Sequence, residues 1–91
     1  MSLPRIAALQ LMERLIACKI SVPEFCSLYE HHFNFDWPNR SSEPQAELFD
    51  KLFDVVVWYT PFPEERELIP NYTGDEDILR MVTIVRAQAA A

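Results

Sequence analysis

Residues 3–33 read LPRIAALQLMERLIACKISVPEFCSLYEHHF, and this stretch decides the class of fold. Its first half repeats apolar residues at intervals of three and four, the period of an amphipathic helix. The stripe consists of Ile6, Leu9, Met12, Leu15 and Ile16. Ser2 precedes this half and Pro4 lies in its first turn, where proline is well tolerated. The sequence therefore predicts a first helix over residues 3–18.

The second half of the stretch predicts another helix, over residues 22–33. Ser21 and Glu24 have the spacing of a capping box at its start. The predicted inward face consists of Phe25, Leu28 and Tyr29, with His32 as an optional member. Because only a tight turn separates the two helices, we expect them to pack as an antiparallel pair.

A third helix is predicted over residues 43–59, with Ser41 or Ser42 as its cap and Pro44 in its first turn. Its buried stripe is Leu48, Phe49, Leu52, Phe53 and Val56. The end of this helix, VVVWY at residues 55–59, has the β-branched and aromatic composition of a strand. We prefer a helix because the upstream helical period runs directly into it. The open end of the core is expected to be covered by the aromatic residues before this helix, Phe33, Phe35 and Trp37.

A fourth helix is predicted over residues 74–88, since Thr73 and Glu76 repeat the capping-box spacing. Its buried stripe is Ile78, Leu79, Val82 and Val85. The chain has 91 residues, 49% of them hydrophobic, which suits one domain with one packed core. A single glycine makes hairpins and phosphate-binding loops hard to build. The prediction is an all-α domain over residues 1–91, an antiparallel four-helix bundle.

The net charge of −6 bounds the class of partner. Nucleic-acid binding depends on basic patches, and anionic membranes also attract basic segments. The charge therefore argues against direct nucleic-acid or membrane binding and favours a basic protein partner, with plain solubility as the alternative. Cys18 and Cys26 lie in apolar helical patterns and are predicted to be buried free thiols. Without an apolar run of about 20 residues or a convincing signal cleavage site, a cytoplasmic location is expected.

Patterns typical of catalysis or metal binding do not stand out. His31 and His32 are adjacent, so they cannot form the i, i+4 pair of a zinc-binding helix. Glu64, Glu65 and Glu67 lack the alternating oxygen ligands of a calcium loop. We therefore expect no enzymatic activity, no cofactor and no metal, and the predicted function is binding.

Negative charge is concentrated in residues 43–77, which hold ten carboxylates and two basic residues, Lys51 and Arg66. Part of this region, TPFPEERELIPNYTGDED at residues 60–77, contains three prolines and is predicted to be a stiff docking loop. The predicted partner-binding carboxylates are Asp50, Asp54, Glu64, Glu65, Glu67, Asp75, Glu76 and Asp77. The predicted apolar anchors are Tyr59, Phe62 and Tyr72. An ordinary solvated face is the alternative.

Three segments of the chain, taken in order, resemble the colicin D immunity family of bacterial self-protective proteins. They are LIACKISVPEFCSLYE, ELFDKLFD and YTPFPEERELIPNYTGDEDILRMVTIVRA. The resemblance extends from about Leu11 to Arg86. It is carried by the Lys-Ile-Ser turn at residues 19–21, the Pro-Glu-Glu sequence at residues 63–65, and the acidic opening of the last helix at residues 75–80.

This resemblance implies a small helical bundle that binds and neutralises a nuclease toxin. We expect the protein itself to be a monomer or a weak homodimer. In the colicin D case the toxin is a tRNA-cleaving ribonuclease, and acidic groups of its immunity protein occupy the basic substrate cleft. The chain differs from the immunity protein of colicin D in FNFDW at residues 33–37 and in the longer VVVWY segment. The resemblance therefore does not identify the toxin that this chain binds. The alternative is a regulatory or adaptor module that self-associates through an apolar helix face, marked by exposed Phe35, Trp37 or Trp58.

Overall fold

The computed structural model describes residues 2–89, which contain five α-helices and one turn of 3₁₀ helix. Their bounds are α1 Leu3–Ile16, α2 Val22–Phe35, α3 Ala46–Val57, α4 Pro63–Leu68 and α5 Asp75–Ala89, with the 3₁₀ turn at Arg40–Ser42. No strand occurs within residues 2–89, and the all-α prediction is confirmed. Within the same range, no helix is both long and apolar enough to cross a membrane.

The first two helices begin where the sequence predicts. The Ser2 hydroxyl accepts from the Arg5 amide at 3.3 Å, and the Ser21 hydroxyl accepts from the Glu24 amide at 3.2 Å. Helix α1 ends two residues earlier than predicted because Cys18 adopts a left-handed conformation with φ 60°. The amides of Cys18 and Lys19 then bond back to the carbonyls of Leu15 and Arg14, which closes the helix in a Schellman motif.

The core lies between α1, α2, α3 and α5. Its buried members include Met12 and Leu15 from α1, Phe25, Tyr29 and Phe33 from α2, Phe49, Leu52 and Val56 from α3, and Ile78, Val82 and Val85 from α5. Three residues assigned to inward stripes, Ile16, Leu28 and Leu79, are exposed instead, while Ala8 is buried. The predicted helical spacing of the apolar residues is correct, but the face of each helix that other helices cover is narrower than its apolar stripe.

Helix α3 begins at Ala46, three residues later than predicted. Pro44 excludes Glu43 from the helix, because proline disfavours helical geometry at the residue before it. Glu43 is accordingly extended, and Gln45 turns the chain into the helix with φ 60°. Ser41 and Ser42 belong to the separate 3₁₀ turn and do not cap α3, so that part of the prediction is wrong.

The VVVWY segment divides between two conformations. Its first three residues complete α3, and Tyr59 forms an isolated parallel bridge with Thr73. The Thr73 amide donates to the Trp58 carbonyl and the Thr60 amide donates to the Thr73 carbonyl, both at 2.9 Å. The helix prediction is therefore correct up to Val57. The β-bridge of Tyr59 lies at the end of the VVVWY segment, for which a strand was the alternative.

The predicted capping pair of the last helix is displaced by one residue. Thr73 does not cap, since its hydroxyl donates to the Val55 carbonyl at 2.8 Å. The capping-box bond instead runs from the Gly74 amide to the Asp77 carboxylate at 2.9 Å. This arrangement links the start of α5 to the end of α3.

Two of the three aromatic residues expected over the open end of the core are buried there. Phe33 and Trp37 are covered, and Trp37 meets Phe49 edge-on with ring centroids 5.0 Å apart. Its Nε1 has no hydrogen-bond acceptor within residues 2–89. The indole of Trp37 therefore contributes to the core by filling volume and not by donating a hydrogen bond. Phe35 is 74% exposed and takes no part in this cover.

A buried arginine ties three distant segments together at the same end of the molecule. The Arg5 guanidinium donates to the carbonyls of Pro44 and Ala89 and to the side chain of Gln45, and it lies 5.0 Å above the Phe49 ring. The carbonyl near the end of α5 is a favourable partner because helix C-termini carry partial negative charge. Residues 44 and 89 are thus held against the start of α1.

The two cysteines have different environments. Both are free, but Cys26 is buried and Cys18 is exposed in the turn after α1, so the prediction of two buried thiols is wrong for Cys18. Burial, reinforced by the charges of Asp75 and Glu30, raises the pKa of the Cys26 thiol to about 12. Cys26 therefore behaves as a small apolar core residue.

Candidate protein-binding surface

The carboxylates of residues 43–77 lie on the surface, as a binding role requires. Seven are exposed, and Glu43, Glu65 and Asp77 are half-buried. Within residues 2–89, Asp77 is the one member of this group that pairs with a basic side chain, Arg80, at 3.5 Å. Most of this negative charge is therefore not neutralised inside the described part of the chain.

On α3 the carboxylates occupy the side opposite the core. Glu47, Asp50 and Asp54 recur at intervals of three and four, so they share one outer face. The buried residues of the same helix, Phe49, Leu52 and Val56, occupy the other face. The stripe of carboxylates leads toward Trp58, one turn after Asp54.

Helix α4 occupies the middle of the predicted stiff loop, which is therefore not a continuous loop. Pro63 lies in its first turn, where its missing amide costs nothing. Glu65 and Arg66 turn toward Thr60: the Thr60 hydroxyl donates to Glu65 at 2.7 Å, and Arg66 donates to the Thr60 carbonyl at 3.1 Å. The other side of this helix presents Glu64, Glu67 and Leu68 outward.

Gly74, the single glycine of the sequence, allows Arg66 to pack against the start of α5. A Cβ at Gly74 would lie 2.5 Å from Nη1 of Arg66, well inside the contact distance. Arg66 and Gly74 line a pocket of about 290 Å³ together with Pro61 and the first three residues of α5, Asp75, Glu76 and Asp77. Arg66 of α4 and the predicted carboxylates of α5 therefore meet at this pocket, whereas the predicted carboxylates of α4 do not line it.

Three of the predicted partner-binding carboxylates already have partners within the chain. Asp75 accepts from the Tyr59 hydroxyl at 2.6 Å, Glu65 accepts from Thr60, and Asp77 bonds to the Gly74 amide. Partial burial and the bond to Asp75 hold the pKa of Tyr59 well above its usual range. These three carboxylates therefore stabilise the surface from within the chain and are not free to pair with a partner.

The remaining five predicted carboxylates are free for a partner. None of them makes a side-chain hydrogen bond or an ion pair with another described residue; they are Asp50, Asp54, Glu64, Glu67 and Glu76. All five are exposed. They lie on α3, on α4 and at the start of α5.

The aromatic anchors are only partly as predicted. Phe62 is exposed, Tyr72 is half-buried, and Tyr59 is engaged with Asp75. Trp58 is 41% exposed and its ring centroid lies 5.8 Å from that of Tyr72. Among the exposed residues the site prediction missed Leu68, the last residue of α4. Its position between Pro63 and Pro70 could have indicated exposure, since a helix confined between these prolines is short and buries little.

Groups suited to metal binding are not brought together. Within residues 2–89 there is no group of three or more histidine, cysteine, aspartate or glutamate side chains placed to hold a metal ion. His31 and His32 each lie 3.9 Å from Asp36, and His32 Nε2 lies 2.8 Å from the Pro4 carbonyl. The contact with Pro4 secures the end of α2 against the start of α1.

Comparison with protein-family models, with curated proteins and with solved structures finds no match to this chain. The resemblance to the colicin D immunity family stays a prediction. The residues and contacts of the surface itself are therefore the basis for a functional proposal.

Proposed function

We propose that this chain is an immunity protein, which binds a basic nuclease toxin and neutralises it by placing an acidic surface in the substrate cleft. The observation that carries the proposal is the set of five exposed carboxylates without partners in the described chain: Asp50, Asp54, Glu64, Glu67 and Glu76. A nuclease cleft must hold phosphates, so it presents lysine and arginine, and a carboxylate array is complementary to it. A tRNA-cleaving ribonuclease is the toxin that the family resemblance favours.

The mechanism is occupation of the cleft, with no chemistry on the inhibitor. Carboxylates in the positions of substrate phosphates accept charge-assisted hydrogen bonds from cleft arginines and lysines. Glu65, Asp75 and Asp77 support the array indirectly, because their bonds within the chain hold α4 and the start of α5 in place. A surface that is already ordered loses less entropy on binding. Because such a toxin acts on cytoplasmic substrates, the immunity protein belongs in the cytoplasm.

We also propose that α1, α2, α3 and α5 form an antiparallel four-helix bundle. The contacts of Arg5 support this arrangement, since they join the start of α1 to residues before α3 and to the last described turn of α5. At the other end, one pocket is lined by the turn after α1, the start of α2 and the start of α5. Alternating ends of successive helices are what an up-and-down bundle requires.

The proposal expects the gene of a large secreted toxin directly before this gene, and the test is protection of cells that produce the nuclease domain of that toxin. The double substitution Glu64→Lys and Glu67→Lys reverses two exposed carboxylates of α4 without touching Glu65. We expect loss of protection and, at low salt, an association rate at least about tenfold slower, because steering becomes repulsion.

Glu24→Lys with Glu30→Lys is the matched control, since both residues are exposed on α2 and the net charge changes equally. This variant should protect as the unmodified protein does. Equal protection by both variants would show that the carboxylates of α4 do not contact the toxin. If the unmodified protein neither binds nor neutralises the encoded nuclease, the immunity proposal itself is wrong.

The second candidate is a module that self-associates through exposed apolar residues. Of its three proposed markers, Phe35 and Trp58 are exposed and Trp37 is buried. Phe35 ends α2 and Trp58 ends α3, so they do not extend one apolar helix face. Sedimentation equilibrium separates the candidates, because this module requires a dimer at micromolar concentration.

A further inference from the structure

Five apolar residues lie where α3 ends and where the chain leaves α4, and Tyr72 contacts both groups. Trp58 follows Val57, its ring lies beside that of Tyr72, and the Tyr72 amide donates to the Ile69 carbonyl at 3.1 Å. Leu68 precedes Ile69 and is 80% exposed. We call these residues the apolar strip: Val57, Trp58, Leu68, Ile69 and Tyr72. All except the half-buried Tyr72 are exposed.

The fold itself does not require this strip. Helix α4 has no buried residue, and the core is complete without Leu68 or Ile69. Single exposed apolar residues are common, but a contiguous group on a short element marks an interaction surface. Helix α4 is held by the polar contacts of Glu65 and Arg66, which leaves its apolar residues free to face a partner.

The charges around the strip define the partner. Asp54 lies one turn before Trp58 on α3, and Glu64 lies one turn before Leu68 on α4 with Glu67 beside it. The basic residue of α4, Arg66, is turned inward to Thr60 and Gly74. An apolar strip flanked by carboxylates is complementary to apolar side chains flanked by lysine and arginine.

We propose that the apolar strip anchors a partner protein whose contact surface places apolar side chains between lysines and arginines. The inference rests on the proposed function for the identity of that partner, the toxin. In that complex the carboxylates speed association, and burial of the strip slows dissociation, because buried apolar contacts near the centre of an interface carry much of its affinity.

A defined peptide tests the anchor without any toxin. The probe is an 18-residue amphipathic helix of leucine and lysine, titrated into the full chain and followed by tryptophan emission and calorimetry. Trp37 is buried, so changes in emission report on Trp58. We expect saturable 1:1 binding, a blue shift of Trp58 emission, and affinity at least tenfold higher than for a lysine–serine peptide of equal charge.

Two variants locate the anchor on the protein. Leu68→Ser should weaken binding of the leucine–lysine peptide at least fivefold. Leu3→Ser is the matched control, because Leu3 is 79% exposed at the other end of the molecule, and it should leave binding unchanged. The inference is overturned if the lysine–serine peptide binds as tightly, or if Leu3→Ser weakens binding as much as Leu68→Ser.

Self-association gives a further, separate outcome. If the protein dimerises and Leu68→Ser dissociates the dimer, a second copy covers the strip and the inference is wrong. Failure of the peptide experiment leaves toxin neutralisation by the carboxylates standing. Conversely, peptide binding with no protection against a nuclease would keep the strip as a docking surface and reject the immunity function.

Discussion

The four long helices and the connection that carries α4, residues 58–74, are stabilised by different interactions. In the long helices, side chains such as Phe25, Leu52 and Val82 are fully buried. In the connection, no residue of α4 is buried; the Thr60 hydroxyl bonds to Glu65 of α4, and the Thr73 hydroxyl bonds to the Val55 carbonyl of α3. The difference shows that one part of this protein maintains the fold while another displays a surface.

The largest expected effect is on the free energy of unfolding, and it compares the same leucine-to-alanine substitution in the two regions. Leu52→Ala removes a fully buried side chain from α3 and should lower the free energy of unfolding by about 3 kcal/mol. Leu68→Ala removes an exposed side chain and should change it by less than about 0.5 kcal/mol. Urea unfolding of both variants gives the two values. Similar losses would mean that α4 is part of the cooperative core.

A second prediction concerns polar contacts that are buried, in contrast to those of the connection. Arg5→Met should cost about 2 kcal/mol, because the carbonyls of Pro44 and Ala89 lose a donor while the Ala89 contact stays buried. Arg5→Lys should recover less than half of this loss, since an ammonium cannot reproduce the guanidinium fork.

The control for Arg5 is Arg86→Met. Arg86 pairs with Glu13 at 3.0 Å on the surface, and an exposed pair contributes little, so a change below about 0.5 kcal/mol is expected. Thermal unfolding measures all three variants. A loss at Arg86 as large as that at Arg5 would contradict the role given to burial.

The smallest effect should be confined to the connection. Thr73→Val removes the hydrogen bond to the Val55 carbonyl and should cost about 1 kcal/mol. Because α4 lacks buried residues, we expect most of this loss to appear as local opening, with amide hydrogen exchange several-fold faster in residues 60–73 than in the unmodified protein. Mass spectrometry of exchange resolves this segment.

Thr83→Val is the matched control for Thr73. The Thr83 hydroxyl donates to the Leu79 carbonyl at 2.8 Å within α5, on an exposed face. Its removal should leave exchange in the connection unchanged. If Thr73→Val accelerates exchange equally across all helices, the connection opens only with global unfolding and the contrast between the two regions disappears.

The sequence by itself determined the helical class, the starts of α1 and α2, and the exposed carboxylates. These features are local: Ser2 and Ser21 cap the turn that follows each of them, and apolar spacing identifies residues that share a face. The late start of α3 is also local, since Pro44 forces Glu43 to be extended.

Only the tertiary structure decided what covers each face and which polar groups are already engaged. Arg5 is buried because residues near 44 and 89 approach it, and Leu28 is exposed because none of the five described helices covers it. Asp75 is bound by Tyr59, whereas Glu64 is free, although both looked alike as carboxylates in one acidic segment. Periodicity gives the direction of a side chain relative to its own helix. Its burial and its partners depend on segments far away in sequence, and these meet only in the folded chain.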